Sequence, residues 1–452
     1  MIDLSKIKSV YFIGIGGIGM SAIARYFNSI GINVSGYDKT QTLLTEELVQ
    51  EGMKIHYEDD LRLLPDQIDL VVYTPAIPAD HIELNYLREK KFPVLKRSEV
   101  LEIITHEKFT IAVAGSHGKT TISTMIAHVL KNSGYDCTAF LGGISLNYNS
   151  NFILGKNQVV VVEADEYDRS FHRLQPDIAV ISAVDTDHLD IYGSQKNIED
   201  AFVEFTRKLK PGGSLVVNSH IPILKNLTGK VYTYSLNNTL AHTHGYDIRI
   251  ENGTYHFTVR SIDLNYYFYE LNVGGLHNVE NATAAITVAG MLGIDQQKIA
   301  EAIKTFKGSQ RRFEYVIKTN DLVFIDDYAH HPREIDALLG SVKQLYSGKK
   351  ITAIFQPHLF SRTKDLSEEF AKSLSVADEV ILLDVYPARE LPIEGVTSQI
   401  ILDKIPHNNK MICSKMDLIE RMKSSHFEVV LTIGAGDIDQ LVEPVKNALL
   451  KA

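Results

Sequence analysis

The segment Ala114–Thr121, AGSHGKTT, limits what this chain can fold into more than any other stretch. An apolar run from Phe109 to Val113 enters it, and a helix-like run from Thr120 to Leu130 leaves it. A strand passing through a glycine-rich turn into Lys-Thr at a helix start is a phosphate cradle. The turn's N–H groups face the anion and the helix N-terminus adds partial positive charge. Gly115, Ser116, His117 and Gly118 would line the turn, with Lys119 on the terminal phosphates and the Thr120 hydroxyl on Mg²⁺. Thr121 completes the set. The loop is shorter than the common P-loop, because position 113 is valine. The plainer alternative is a tight strand-to-helix turn.

A second glycine loop lies in VYFIGIGGIGMSAIA, Val10 to Ala24, with Gly14, Gly16 and Gly19 after a strand and before a helix. The following strand, INVSGYD, ends in Asp38. This is the dinucleotide fingerprint with its ribose acid, and alone it suggests an NAD-dependent dehydrogenase. Its geometry asks only for a pyrophosphate and a ribose, which a UDP-sugar supplies equally. Glycines serving helix–strand packing are the other reading.

At 452 residues the chain exceeds one core, and two to four domains are expected. No apolar stretch approaches the ~18–20 residues of a membrane span. The start lacks a signal peptide's basic region and small-residue cleavage site. Two cysteines far apart, Cys137 and Cys413, fit a reducing cytoplasm and provide no metal knuckle. A net charge of −10 without a long basic stripe argues against nucleic acid as a partner. Local lysines, glycines and metal must then bind any phosphates.

The pattern predicts three α/β segments. The first has strands near Val10–Gly14, Asn33–Tyr37 and Leu70–Thr74, then a short strand and helix in PVLKRSEVLEIITHEKF. The second has strands Phe109–Ala114, Gln158–Glu163, Asp177–Val184 and Ser214–Asn218; VVVVE reads as a parallel strand covered on both faces. From Lys230 to Val273, alternating Tyr- and Thr-rich runs predict antiparallel hairpins added to the sheet. A helix begins near Asn278 and leads to a polar joint, KGSQRR. The third segment has strands Leu322–Ile325, Ile351–Phe355, Glu379–Leu383 and Val429–Ile433, separated by amphipathic helices.

Polar clusters fall at the C-terminal ends of these strands, where open α/β sheets bind ligands. EADEYD gathers Glu163, Asp165, Glu166 and Asp168, whose repulsion a divalent cation would relieve; Glu163 is the expected ligand. In DTDHLD, His188 could ligate a second metal. LVFIDDYAHHP places Asp326, Asp327, Tyr328, His330 and His331 before a helix with Pro332 in its first turn. ITAIFQPHLFSRT adds His358 and Arg362. Such a group could bind a carboxylate and a nucleophilic amine. GAGD, Gly434 to Asp437, faces a ligand or is merely a turn.

GIGGIGMSAIA, AGSHGKTT, EADEYD, DHLD, GLHNVENATAA, GSQRRFE, DDYAHHPREI, FQPHLFSRT, VYPARELPIEGVTS and LTIGAGDI appear in this order over nearly the whole chain. Together they resemble the cytoplasmic Mur ligases, in their alanine-adding branch. The resemblance implies three domains: a Rossmann-like UDP-sugar-binding domain (residues 1–107), a central P-loop ATPase-type domain with added antiparallel strands (108–312), and a Rossmann-like domain that brings the amino acid (313–452). It implies ATP-driven amide formation between UDP-N-acetylmuramic acid and L-alanine through an acyl phosphate, with domain closure supplying proximity. ATP and Mg²⁺ are the implied cofactors and the cytoplasm the implied location.

By the same resemblance, Lys119, His188, His330 and Arg362 would be catalytic. Thr120 and Glu163 would hold one Mg²⁺, and Glu163 with His188 a second. Asn278 and Asn281 would bind adenine, and Arg312 and Asp327 would meet ATP. Tyr328, His330, His331, His358 and Arg362 would form the alanine pocket. Gly16, Gly17, Ile18 and Gly19 would offer amides to the pyrophosphate, with Asp38 near the uridine. The chain departs from the family at Leu359, where a basic residue is frequent, and near Val203, where sister ligases carry a carbamylated lysine. Murein peptide ligase is the rival within the family. A nicotinamide-dependent dehydrogenase would leave AGSHGKTT unexplained, and an ATP-binding regulatory module would leave DDYAHHP without a task.

Overall fold

The computed structural model describes residues 2–185, 189–221, 227, 229–251, 253–388 and 390–451, without the side chains of Asp168, Leu189 and Asp190. The chain forms two compact units. One comprises residues 1–248, 257–269 and 280–307, the other residues 249–256, 270–279 and 308–452.

The first sheet has five parallel strands in the spatial order Lys54–His56, Asn33–Tyr37, Ser9–Ile13, Leu70–Tyr73 and Val94–Lys96. The chain enters at the centre and winds outward to both edges, so the glycine loop after Ser9–Ile13 lies at a switch point. SVYFI is buried along its whole length, as a strand covered on both faces requires. The strand Lys54–His56 was not expected. It is a short, partly exposed edge strand with no apolar run to announce it.

A ten-stranded sheet follows. Its core is parallel: Thr138–Ser145, Val159–Glu163, Phe109–Ala114, Ile178–Ile181 and Ser214–Asn218. The strand feeding the phosphate loop therefore lies between the strand ending at Glu163 and the strand ending at Ile181. The antiparallel pair of Thr138–Ser145 with Ser150–Ile153 closes one edge. The expected strand Asp177–Val184 stops at Ile181, because Ser182 and Ala183 turn to hold the loop.

The stretch expected as antiparallel hairpins divides in two. Lys230–Ser235 runs parallel to Ser214–Asn218, and Thr243–Glu251 parallel to Lys230–Ser235. The latter pair meets only at Tyr234–Ser235 and Thr243–His244, so the chain needs no full return crossover. The strand Thr254–Arg260 follows Thr243–Glu251 directly and neighbours it. A connection that short joins only antiparallel strands. Tyr266–Leu271 ends the sheet.

The third sheet has six strands in the order Glu314–Lys318, Val323–Asp327, Val429–Ile433, Ile351–Phe355, Glu379–Leu382 and Lys410–Ile412. All pairs are parallel except the first. Phe324, Ile354, Ile381 and Val430 are fully buried and share one apolar cluster with Leu418 and Val445. Three adjacent strands end side by side at Asp327, Ile433 and Phe355. The loops that follow them carry the polar motifs. Among the described residues, no helix is long and apolar enough to cross a membrane.

Candidate active site

The loop from Gly115 to Lys119 has the strand-to-helix backbone its sequence predicts. Gly118 takes φ 83° and hands over directly to the helix Lys119–Asn132. A Cβ at Gly118 would lie 2.8 Å from Asn281 Oδ1, so the glycine lets Asn281 close on the loop. Ser116 N–H donates to Ala183 O at 3.0 Å, and the Ser182 hydroxyl donates to His117 O. Lys119 Nζ donates to Gly115 O and to Glu166 Oε1, each at 2.7 Å. Glu166 is 2 % exposed, so the loop lysine is held by a buried carboxylate.

Glu163 ends the strand beside the loop, in register with Val113. Its Oε2 accepts Gly142 N–H at 3.1 Å. A Cβ on Gly142 would lie within 2.3 Å of all three carboxylate atoms. Gly142 thus makes the space that the carboxylate fills. The Glu163 carboxylate and the Thr120 hydroxyl are each hard oxygen donors of the kind Mg²⁺ takes. His188 lies outside the described residues, as does the Asp168 side chain. Lys208, near the place where sister ligases carry their modified lysine, pairs with Glu204 on the surface at 3.3 Å.

At the first glycine loop, Asp38 Oδ2 accepts Gly16 N–H at 2.7 Å, and Gly17 N–H donates to Gly14 O at 3.3 Å. Both amides are engaged within the loop, and Asp38 ties it to the second strand. The helix Ile18–Ser29 opens after Gly17 with no side-chain cap. Gly19 packs beneath Arg97, a residue that no sequence motif marks. Another group of possible metal ligands, Asp59, His81 and Glu83, is largely spent on the start of the helix Ile82–Glu89. Asp59 accepts the Ile82 and Glu83 amides, and His81 Nδ1 accepts the Leu84 amide.

In the second unit, Asp327 accepts Phe313 N–H at 2.7 Å and Ala329 N–H at 2.8 Å. Burial pushes its carboxyl up to about 6, while Arg312 pulls it down. The Arg311 and Arg312 guanidinium groups lie 5.3 and 5.2 Å from the Tyr328 ring centre. Asn278 donates to Gly274 O at 2.6 Å. His331 caps the helix Pro332–Leu345, so its ring has a structural task. His330 Nδ1 lies 3.0 Å from Tyr328 O and 3.3 Å from Glu334 Oε2. The His330 and His358 rings are 6.2 Å apart, and His358 stacks on Tyr386 at 5.7 Å.

Burial, reinforced by Arg362, lowers His358 to about 4; burial is also the main cause that lowers His330. Burial thus favours the neutral form of both rings. His358 Nδ1 and Arg362 Nη1 are buried without a hydrogen-bond partner among the described residues. Such groups are costly unless a ligand completes them. A guanidinium beside neutral imidazoles suits a carboxylate together with an amine that must lose a proton. Leu359 holds φ 70° and donates its N–H to Tyr386 O. Tyr386 was not anticipated; only its place in VYPARE marked it. Gly434 opens GAGD with φ 146°, packed on Gln356 O, and its carbonyl accepts from Arg311.

Three family models match the chain: the Mur ligase family catalytic domain over residues 9–109, the Mur ligase middle domain over 113–289, and the Mur ligase glutamate ligase domain over 311–436. The UDP-N-acetylmuramate–L-alanine ligase of Porphyromonas gingivalis is 51 % identical over 451 residues, covering 98 % of this chain and 99 % of that protein. The enzyme of that name from Flavobacterium johnsoniae is 48 % identical, covering 99 % of each chain. The crystal structure of the UDP-N-acetylmuramate–alanine ligase from Thermotoga maritima superposes with a TM-score of 0.84 at 31 % identity, covering 97 % of this chain and 98 % of that one. A murein peptide ligase from Psychrobacter arcticus shares the fold, with a TM-score of 0.71 at 23 % identity and 98 % of each chain covered.

Proposed function

The chain belongs to the Mur ligase family, and on that premise we propose that it joins L-alanine to the lactyl carboxylate of UDP-N-acetylmuramic acid at the expense of ATP, in peptidoglycan precursor synthesis. The observation that carries this reading is the end-to-end similarity to relatives named for alanine addition. The geometry supports it, because the chain presents a phosphate loop, a metal-suited carboxylate and a separate cationic, imidazole-lined cluster. Residues 1–107 would bind the sugar nucleotide, 108–312 ATP and 313–452 the amino acid. With these substrates the reaction would take place in the cytoplasm.

A carboxylate acylates an amine poorly until it carries a leaving group. The lactyl carboxylate attacks the γ-phosphate of ATP, the bond from that phosphorus to the β,γ-bridging oxygen breaks, ADP leaves, and an acyl phosphate forms. The alanine amine then adds to the acyl carbon, and phosphate leaves the tetrahedral intermediate. Lys119, released from Glu166, would compensate charge on the transferring phosphoryl group. Thr120 and Glu163 would hold Mg²⁺, which supplies further charge neutralisation there. Asn278 and Asn281 would meet adenine, and Arg312 and Asp327 the phosphates. Arg362 would bind the alanine carboxylate, and His330 would take a proton from the amine nitrogen as it adds to the acyl carbon.

Incubation with ATP, Mg²⁺, UDP-N-acetylmuramic acid and a panel of amino acids, with product mass and released phosphate followed together, tests this. The expected product is heavier by one alanyl residue, and phosphate release requires all three substrates. Product formed only with the L-Ala-γ-D-Glu-diaminopimelate tripeptide would overturn the alanine assignment.

A further inference from the structure

Arg97 opens the helix Arg97–Thr105, just after the edge strand Val94–Lys96 of the first sheet. Its guanidinium lies on the first glycine loop. A Cβ at Gly19 would come 2.3 Å from Arg97 Nη1 and 3.2 Å from Cδ and Cζ. The third glycine of the fingerprint leaves the room that this arginine fills. Two of the loop's amides, those of Gly16 and Gly17, are already bonded to Asp38 and Gly14. The loop thus offers fewer free backbone donors than its sequence promises, and a cationic side chain beside it adds charge compensation for a diphosphate. Arg97 is placed for it, and a guanidinium fork matches phosphate oxygens in pairs.

On that loop Arg97 is also paired with a carboxylate. Its Nη2 donates to Asp165 Oδ2 at 3.4 Å, with the Arg97 side chain 26 % exposed. The next residue, Glu166, holds Lys119 of the other phosphate loop at 2.7 Å. Two consecutive carboxylates after the strand Val159–Glu163 thus each hold one cation, and each cation serves a different glycine-rich loop. At 3.4 Å the Arg97–Asp165 bond is long for a charged pair, so phosphate oxygens in better geometry displace it.

We propose that Arg97 binds the diphosphate of the sugar nucleotide and that Asp165 is the counter-ion it leaves on doing so. The proposal rests on the reading of residues 1–107 as a sugar-nucleotide domain, and it names a residue that the glycine fingerprint does not contain.

NMR titration of the full chain with UDP and with uridine reads micromolar and millimolar affinities alike. The Arg97→Met variant is expected to bind UDP at least tenfold more weakly and uridine as wild type does, with Arg97→Lys in between. Asp165→Asn is expected to tighten UDP a few-fold in the wild-type background and to have no effect in Arg97→Met. Unchanged ATP binding by each variant reports an intact fold. Wild-type UDP affinity in Arg97→Met, or equal losses for UDP and uridine, would overturn the proposal and leave the ligase reading standing. A wild-type protein that binds no UDP would overturn both.

Discussion

Gly142 lies 21 residues before Glu163 and has no chemistry of its own, yet Gly142→Ala should damage metal binding. A Cβ at this position would sit 2.2 Å from Glu163 Oε2 and 2.3 Å from Cδ and Oε1. Ordinary non-bonded separation is roughly 3.5 Å, so the carboxylate must move by about an ångström or more. The move also breaks the 3.1 Å bond from Gly142 N–H. A hydrogen bond to a charged group is worth about 1.5–3 kcal/mol, which is roughly ten- to a hundred-fold in affinity. Loss of a partner that orients a metal ligand costs about as much. The Mg²⁺ concentration giving half-maximal ligation should therefore rise about ten- to a hundred-fold, with UDP affinity unchanged. Glu163→Gln should add little in the Gly142→Ala background. A correctly folded Gly142→Ala protein with wild-type Mg²⁺ dependence would refute the reasoning, because the carboxylate displaced would not be the one that holds the metal.

Removing the orphaned guanidinium in Arg362→Met should raise KM for alanine about ten- to a hundred-fold, the worth of a charge-assisted hydrogen bond, with ATP affinity unchanged by calorimetry. His128 is 4 % exposed, and burial lowers it to about 4. Its unfolded form takes a proton near pH 6.5 while the folded form resists, so its contribution to stability is present above pH 6.5 and is lost as pH falls towards 4. Urea midpoints of wild type and His128→Gln should therefore converge between pH 7.5 and 4.5, by about 2 kcal/mol for this residue. Gly340 lies inside the helix Pro332–Leu345, and among the described residues no atom beyond its chain neighbours and its own helix backbone comes within 4 Å of where an added methyl would sit. Gly340→Ala should therefore stabilise the fold by about 0.5–1 kcal/mol, read as a higher urea midpoint.

Much of the fold was legible where local chemistry and tertiary demand agreed. Phe109–Ala114, Ser214–Asn218, Ile351–Phe355 and Val429–Ile433 are apolar runs bounded by polar turns, and each forms a strand with the ends read from sequence. Lys54–His56, Glu314–Lys318 and Lys410–Ile412 were missed because edge strands are short and half exposed, and no unbroken apolar run marks them. The stretch after Lys230 carries the alternation of antiparallel strands, yet its first two strands add in parallel. Alternation reports which faces are buried; it carries no record of strand direction.

The candidate site divides in the same way. Loop chemistry is local: glycines that tolerate positive φ, a lysine at a helix start and a proline at another can be read one after the next. Partnership is not local. That Glu166 holds Lys119, that Gly142 exists for Glu163, that Arg97 covers Gly19 and that Tyr386 stacks on His358 are facts about residues brought together across sheets and strand ends. Sequence by itself determined most of the central elements, the glycine-rich loops and the reaction class, because backbone conformation and residue type are properties of short segments. The tertiary structure decided which charges meet and which buried polar atoms are left for a ligand, because those depend on distances that only packing sets.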